Sequence, residues 1–160
     1  MGLRNWIIGL LLTGSFFTAN AQDSKKIDAS QMWARMQAVK DATYKWAGAT
    51  EKGFDCSGFV QFVFKGFGLN TGHSTRNLAV IGKMIPLAKA QFGDVIVFTG
   101  TDSKKRQPGH AGIVVSQPGE PLKFMHSSSS KKNYGVTTTV YKNSNYAKRF
   151  LEVRRVANVL

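Results

Sequence analysis

The chain of 160 residues holds one cysteine, Cys56, three histidines (His73, His110 and His126), four prolines and nine acidic residues. A single cysteine excludes an intramolecular disulfide and any zinc site built on two or four thiolates. All imidazole chemistry is confined to the three histidines. Against 22 lysines and arginines the few acids leave a formal charge of +13, which favours anionic partners. The longest apolar stretch, 6–17, is broken by Gly9, Thr13, Gly14 and Ser15 and falls short of the roughly 20 residues of a spanning helix. What is present excludes a disordered basic tail, since 42% of residues are hydrophobic and 11% aromatic. The length suits one domain.

The first 21 residues differ from the rest. Arg4, the apolar stretch and the small residues Ala19 and Ala21 follow the order of a secretory signal peptide, with cleavage expected after Ala21. An uncleaved anchor is the alternative. No cysteine stands at the cleavage point for lipidation, and Trp6 takes the place of Ser or Thr in a myristoylation motif. The expected product is a single domain over 22–160, secreted or periplasmic, with 22–27 loose and no integral membrane anchor. A lone thiol in such a compartment is either a small buried hydrophobe or a reactive group.

Helical spacing of Met32, Trp33, Met36 and Val39 predicts a helix over 28–43, capped by Asp28 or Ser30. Gly48 and Gly53 mark 44–53 as a loop, and 56–64 is an apolar helix ended by Gly66 and Gly68. A short helix is expected over 77–83. Strand patterns then run over 94–98, 111–115, 122–126, 136–141 and 150–156, and the run 127–130 reads as a flexible turn. Helices first and strands after imply an α+β domain with an antiparallel sheet.

The segment Gly53-Phe54-Asp55-Cys56-Ser57-Gly58-Phe59-Val60 delivers Cys56 to the first turn of a helix. Unpaired N–H groups and the dipole there favour an anion, which predicts a lowered thiol pKa and a nucleophile. His110 follows the Pro108-Gly109 turn at the mouth of a strand, and His126 ends the next strand. Adjacent antiparallel strands can bring the two imidazoles together beside a thiolate, the set that nucleophilic catalysis needs. His73, in a Gly/Ser/Thr loop, is expected at the surface.

These residues carry a resemblance to the NlpC/P60 cell-wall endopeptidases, a branch of the papain-like cysteine peptidases. Tyr44-Lys45-Trp46-Ala47-Gly48 resembles the Tyr-x-x-Gly-Gly loop of that family, with Ala47 for its first glycine. Asp55-Cys56-Ser57-Gly58 resembles the nucleophile motif, and Phe92-Gly93-Asp94-Val95 the Pro-Gly-Asp-Leu strand, with Phe92 for proline. Gly109-His110-Ala111-Gly112 and Phe124-Met125-His126-Ser127 resemble the two remaining catalytic strands. The chain's ending, Tyr146…Arg149-Phe150…Arg154-Arg155-Val156, is similar as well. The resemblance covers about 44–156 and implies a papain-like catalytic domain: N-terminal helices, with the catalytic cysteine at a helix N-terminus, on a five- to six-stranded antiparallel sheet.

It also implies roles: Cys56 as nucleophile, His110 as base, His126 as its orienting group, and Tyr44, Asp55 and Ser57 as the substrate-binding subsite for a free L-Ala amine. Tyr44 or the Cys56 N–H would serve the oxyanion. One departure is His73-Ser74-Thr75-Arg76-Asn77-Leu78, where the family has Arg-x-Ser/Thr-x-x-Gln. The expected partners are peptidoglycan stem peptides and an anionic envelope, with the γ-D-glutamyl-diaminopimelate bond as the expected target. Neither nucleic acid, metal nor cofactor is expected, and the protein is expected to be a monomer. The rival readings are a CHAP-type N-acetylmuramoyl-L-alanine amidase and a non-catalytic wall-binding domain.

Overall fold

A computed structural model describes residues 25–160, so the expected signal peptide and its cleavage site lie outside the described residues. Strand β1 (Lys26–Ile27) pairs in parallel with β10 (Asn158–Val159) near the other end of the chain. Lys26 and Ile27 are therefore ordered where a loose segment was expected. Burial of Ile27 to 3% exposure explains why.

Helix α1 (Ala29–Gln37) begins at Asp28, whose carboxylate accepts the Gln31 N–H at 3.0 Å. Met32, Met36 and Val39 are buried as their spacing predicts, but Trp33 stays 41% exposed and meets Phe92 edge-on. The helix stops well before residue 43 because the backbone beyond it is claimed elsewhere. The Ala42 carbonyl accepts the Val136 N–H, and the Thr43 carbonyl accepts the Phe54 N–H.

The loop over 44–53 folds into a small hairpin of β2 (Ala49–Thr50) and β3 (Gly53–Phe54). Helix α2 (Cys56–Lys65) buries Phe59, Val60, Val63 and Phe64 completely. Helix α3 (Thr75–Leu78) starts at the Ser74 cap, earlier than the expected 77–83, because the Ser74 hydroxyl accepts the Asn77 N–H.

The main sheet has six strands, β4 (Lys83–Ile85), β5 (Val95–Thr99), β6 (Pro108–Val114), β7 (Lys123–Ser128), β8 (Gly135–Val140) and β9 (Phe150–Arg155). Their order is β4-β9-β5-β6-β7-β8, antiparallel throughout. This is the α+β architecture that the order of patterns predicts. Strand β4 and helix α4 (Asn145–Arg149) are additions too short, at three and five residues, for their sequences to reveal. Ser127 and Ser128 belong to β7 rather than to a flexible turn. Both are buried, and the Ser127 hydroxyl donates to the Phe54 carbonyl at 2.7 Å.

Strand β5 is buried on both faces. Val95 and Val97, with Ala111 and Ile113 of β6, join the core under α1 and α2. Ile96 and Phe98, with Val114 and Phe124, form a second cluster on the opposite face. Asp94, just before β5, accepts a two-pronged contact from Arg155 at 2.8 Å and tethers β9 to β5. Among the described residues no helix is long and apolar enough to cross a membrane.

Candidate active site

Cys56 is the first residue of α2. Asp55 caps that helix: its Oδ1 accepts the Gly58 N–H at 2.7 Å and the Ser57 hydroxyl at 2.9 Å. The Asp55 N–H donates to the Gly48 carbonyl, which holds the 44–53 loop against the helix start. Gly58 is needed for that approach, since a Cβ there would stand 2.0 Å from the Gly48 carbonyl oxygen. The glycine of the Asp-Cys-Ser-Gly motif is thus a packing requirement.

The thiol differs from the sequence expectation. Burial pushes the Cys56 pKa up to about 11, although the N–H groups of Ala111, Ser57 and Cys56 itself favour the thiolate. Desolvation outweighs the helix start. A pKa so raised favours the neutral thiol at neutral pH.

His110 heads a chain of three side chains. His110 Nε2 lies 2.9 Å from His126 Nδ1, and His126 Nε2 lies 3.0 Å from Thr139 Oγ1 of β8. Burial, then the neighbouring His126 and Arg149, hold the His110 pKa well below its usual range. Burial and then Arg149 bring His126 down to about 3. Both rings are therefore neutral, and their tautomers are linked. For His110 Nδ1 to accept a proton, its Nε2–H must donate to His126 Nδ1. His126 then carries its hydrogen on Nε2 and donates to Thr139. Tyr146 of α4 walls the pair, with ring centroids 5.2 Å from His110 and 5.0 Å from His126. Arg149 lies over the Tyr146 ring and donates to the Thr99 carbonyl.

Cys56 and His110 line one groove of about 670 Å³ together with Tyr44, Asp55 and Ser57. These five predicted groups converge, and His126 stands behind His110. Tyr44 meets Tyr134 edge-on, and burial, then Cys56 and Asp55, raise its pKa, so its hydroxyl remains a donor. The polar loop after β5 supplies Gly100 and Thr101 to the rim.

His73 also lines the groove, and its Nε2 contacts both Asp55 oxygens at 3.0 and 3.1 Å. It is exposed, as expected, and it also lines the groove. Its contact with Asp55 was not legible in the sequence because the two residues lie 18 positions apart. Thr139 carried no signal, standing in the run Thr137-Thr138-Thr139. Tyr146 and Arg149 were visible only as part of the family-like ending.

A family model described as the NlpC/P60 family matches residues 41–155. Murein DD-endopeptidase MepS/murein LD-carboxypeptidase of Escherichia coli strain K12 is 33% identical over 118 residues, covering 73% of this chain and 57% of that protein. The gamma-D-glutamyl-L-lysine dipeptidyl-peptidase of Bacillus subtilis is 31% identical over 112 residues, 70% of this chain and 36% of that protein. The chain thus spans a little over half the length of the first of these relatives. The crystal structure of an NlpC/P60 family protein from Bacillus cereus superposes with a TM-score of 0.72 at 23% identity, covering 82% of this chain and 41% of that one. That likeness carries the fold.

Proposed function

The chain belongs to the NlpC/P60 family, and from that premise we propose that it is an exported peptidoglycan hydrolase, a cysteine endopeptidase acting on stem peptides. The observation that carries the reading is the His110–His126–Thr139 chain, whose His110 shares one groove with a thiol at a helix start. The names of the curated relatives, which act on murein and on gamma-D-glutamyl-L-lysine bonds, support the substrate class. The γ-D-glutamyl-diaminopimelate amide is the bond we assign.

In this reading Cys56 Sγ attacks the amide carbon as His110 Nδ1 takes the thiol proton. The Cys56 N–H, at the first helical position, and the Tyr44 hydroxyl receive the developing oxyanion. The tetrahedral adduct collapses, His110 returns the proton to the leaving amine, and a thioester remains on Cys56. Water, deprotonated by His110, attacks that thioester and frees the acid and the thiol. His126 fixes the tautomer and ring angle of His110, while Tyr44, Asp55 and Ser57 line the groove in which the peptide lies. Removal of residues 1–21 would place the enzyme in the periplasm or outside the cell, where its excess of basic side chains meets an anionic envelope.

Digestion of purified peptidoglycan followed by mass spectrometry of the soluble products tests this. Peptide fragments cut within the stem are expected from the intact protein, and none from Cys56→Ala. Release of intact stems with sugars freed at the lactyl group would make it an amidase instead. No product at all would leave a wall-binding domain.

A further inference from the structure

Asp55 is the one carboxylate among the described residues lining the groove. Its Oδ1 is spent on the helix start, where it accepts Gly58 N–H and Ser57 Oγ–H. Its Oδ2, the oxygen left for a ligand, accepts from His73 Nε2 at 3.0 Å. Because the carboxylate can only accept, His73 Nε2 carries a hydrogen whether the ring is neutral or charged. The pairing therefore does not wait on a particular protonation state.

The surroundings hold His73 in place. Its loop is anchored by the Ser74 cap of α3, and the Asn70 side chain accepts the Gly72 N–H. Gly58 leaves the space that the ring fills, since a Cβ there would lie 2.9 Å from His73 Nε2. Yet the His73 side chain is 29% exposed against 16% for Asp55, so the ring lies over the carboxylate on the solvent side.

We propose that His73 is the specificity-determining residue of this groove: it occupies the Asp55 carboxylate in place of a substrate amine, so the protein accepts stems whose N-terminus is acylated about as well as stems with a free ammonium. This rests on the proposed function, because it concerns the peptide which that site would bind. An ammonium reaching Asp55 must share Oδ2 with a built-in donor or displace it, and either exchange among charge-assisted hydrogen bonds yields little net gain. An acylated stem has no ammonium to place and leaves the His73–Asp55 pair intact. The L-Ala amine preference implied by the family resemblance is thereby cancelled in this chain.

The test is binding to the non-turning-over Cys56→Ala protein, measured calorimetrically with L-Ala-γ-D-Glu-diaminopimelate and its N-acetyl form. The two dissociation constants are expected to agree within about threefold. In Cys56→Ala/His73→Ala the freed carboxylate is expected to favour the free amine by on the order of tenfold. Cys56→Ala/His73→Gln, which keeps an amide donor near Oδ2, is expected to fall between them. Far-ultraviolet circular dichroism confirms that each variant is folded, and the glutamine variant carries the comparison if the alanine variant is not. A tenfold preference for the free amine that His73 substitution leaves unchanged overturns the proposal, as does an absence of binding by both peptides. Hydrolysis of whole peptidoglycan by the Cys56 protein stands or fails separately, so loss of this inference and loss of the enzymatic reading are told apart.

Discussion

His110 Nε2 and His126 Nδ1 lie 2.9 Å apart although the two residues do not face each other across β6 and β7. The pairs Ile113–Met125 and Val114–Phe124, continued along the strands, set His126 opposite Gly112, two residues from His110. Diagonal neighbours of this kind are within reach of long side chains. Gly112 makes the reach possible, since a Cβ there would stand 3.0 Å from the His126 Cβ and 2.9 Å from the Phe124 ring. The missing side chain leaves the floor over which the imidazoles meet. Thr139 on β8 then closes the chain from the third strand.

The raised pKa of Cys56 has a kinetic consequence. Only the thiolate alkylates, and burial holds the group near 11 against an ordinary 9.0. Iodoacetamide is expected to modify the resting protein slowly at neutral pH, with a rate that climbs through pH 9 toward 11. A profile with its midpoint below pH 7 would show a resting thiolate–imidazolium pair instead.

Orientation of the base predicts a graded series at His126. His126→Ala should lose on the order of 10²–10⁴-fold in kcat, as expected when a general base is badly held. His126→Asn and His126→Gln should retain more, because a side-chain amide can accept from His110 Nε2–H. Thr139→Val should change activity in the same direction as His126→Ala but less. Muropeptide turnover checks the order, and equal rates for His126→Ala and the native protein would remove His126 from the site.

Stability should fall on acidification. The unfolded chain protonates His126 near 6.5 while the folded chain resists until about 3, for reasons of burial and then Arg149. His110 is held low for the same first reason. The unfolded state thus binds more protons between these values, and stability is lost as pH falls through that window. Urea titrations are expected to show a slope of up to about 1.4 kcal/mol per pH unit for each imidazole. His126→Asn should flatten the profile. At the alkaline end Cys56 acts oppositely: its raised pKa favours the folded state below pH 9, and that contribution fades as pH rises through about 11.

Ala47 stands at φ +53°, in the left-handed region, where the family-like loop carries glycine. An alanine there costs about 1–2 kcal/mol of steric strain, part of which glycine returns as lost chain entropy. Ala47→Gly is therefore expected to raise the unfolding free energy by about 0.5–1 kcal/mol, read from denaturant melts. A loss of stability would show that the loop draws on the alanine methyl for packing.

Much of the site was legible along the chain because its chemistry is local. A carboxylate cap, a cysteine and two small residues at a helix start announce themselves in four consecutive positions, Asp55 to Gly58. The two histidine strands follow from short β-rich runs separated by Gly, Pro, Asn and Ser clusters. Helix α1 was legible by its buried stripe but not by its end, since its last turn gives way to bonds that Ala42 and Thr43 make with distant strands. What the tertiary structure alone decided are the terms that depend on who stands beside whom. The helix start by itself argues for a thiolate, and packing α2 against the sheet partly desolvates Cys56 and reverses the sign. The loop holding His73 is polar and reads as surface, and only the fold swings it over Asp55. Local sequence sets which groups can ionise or donate. Desolvation and long-range partners, which no stretch of neighbouring residues encodes, set whether they do.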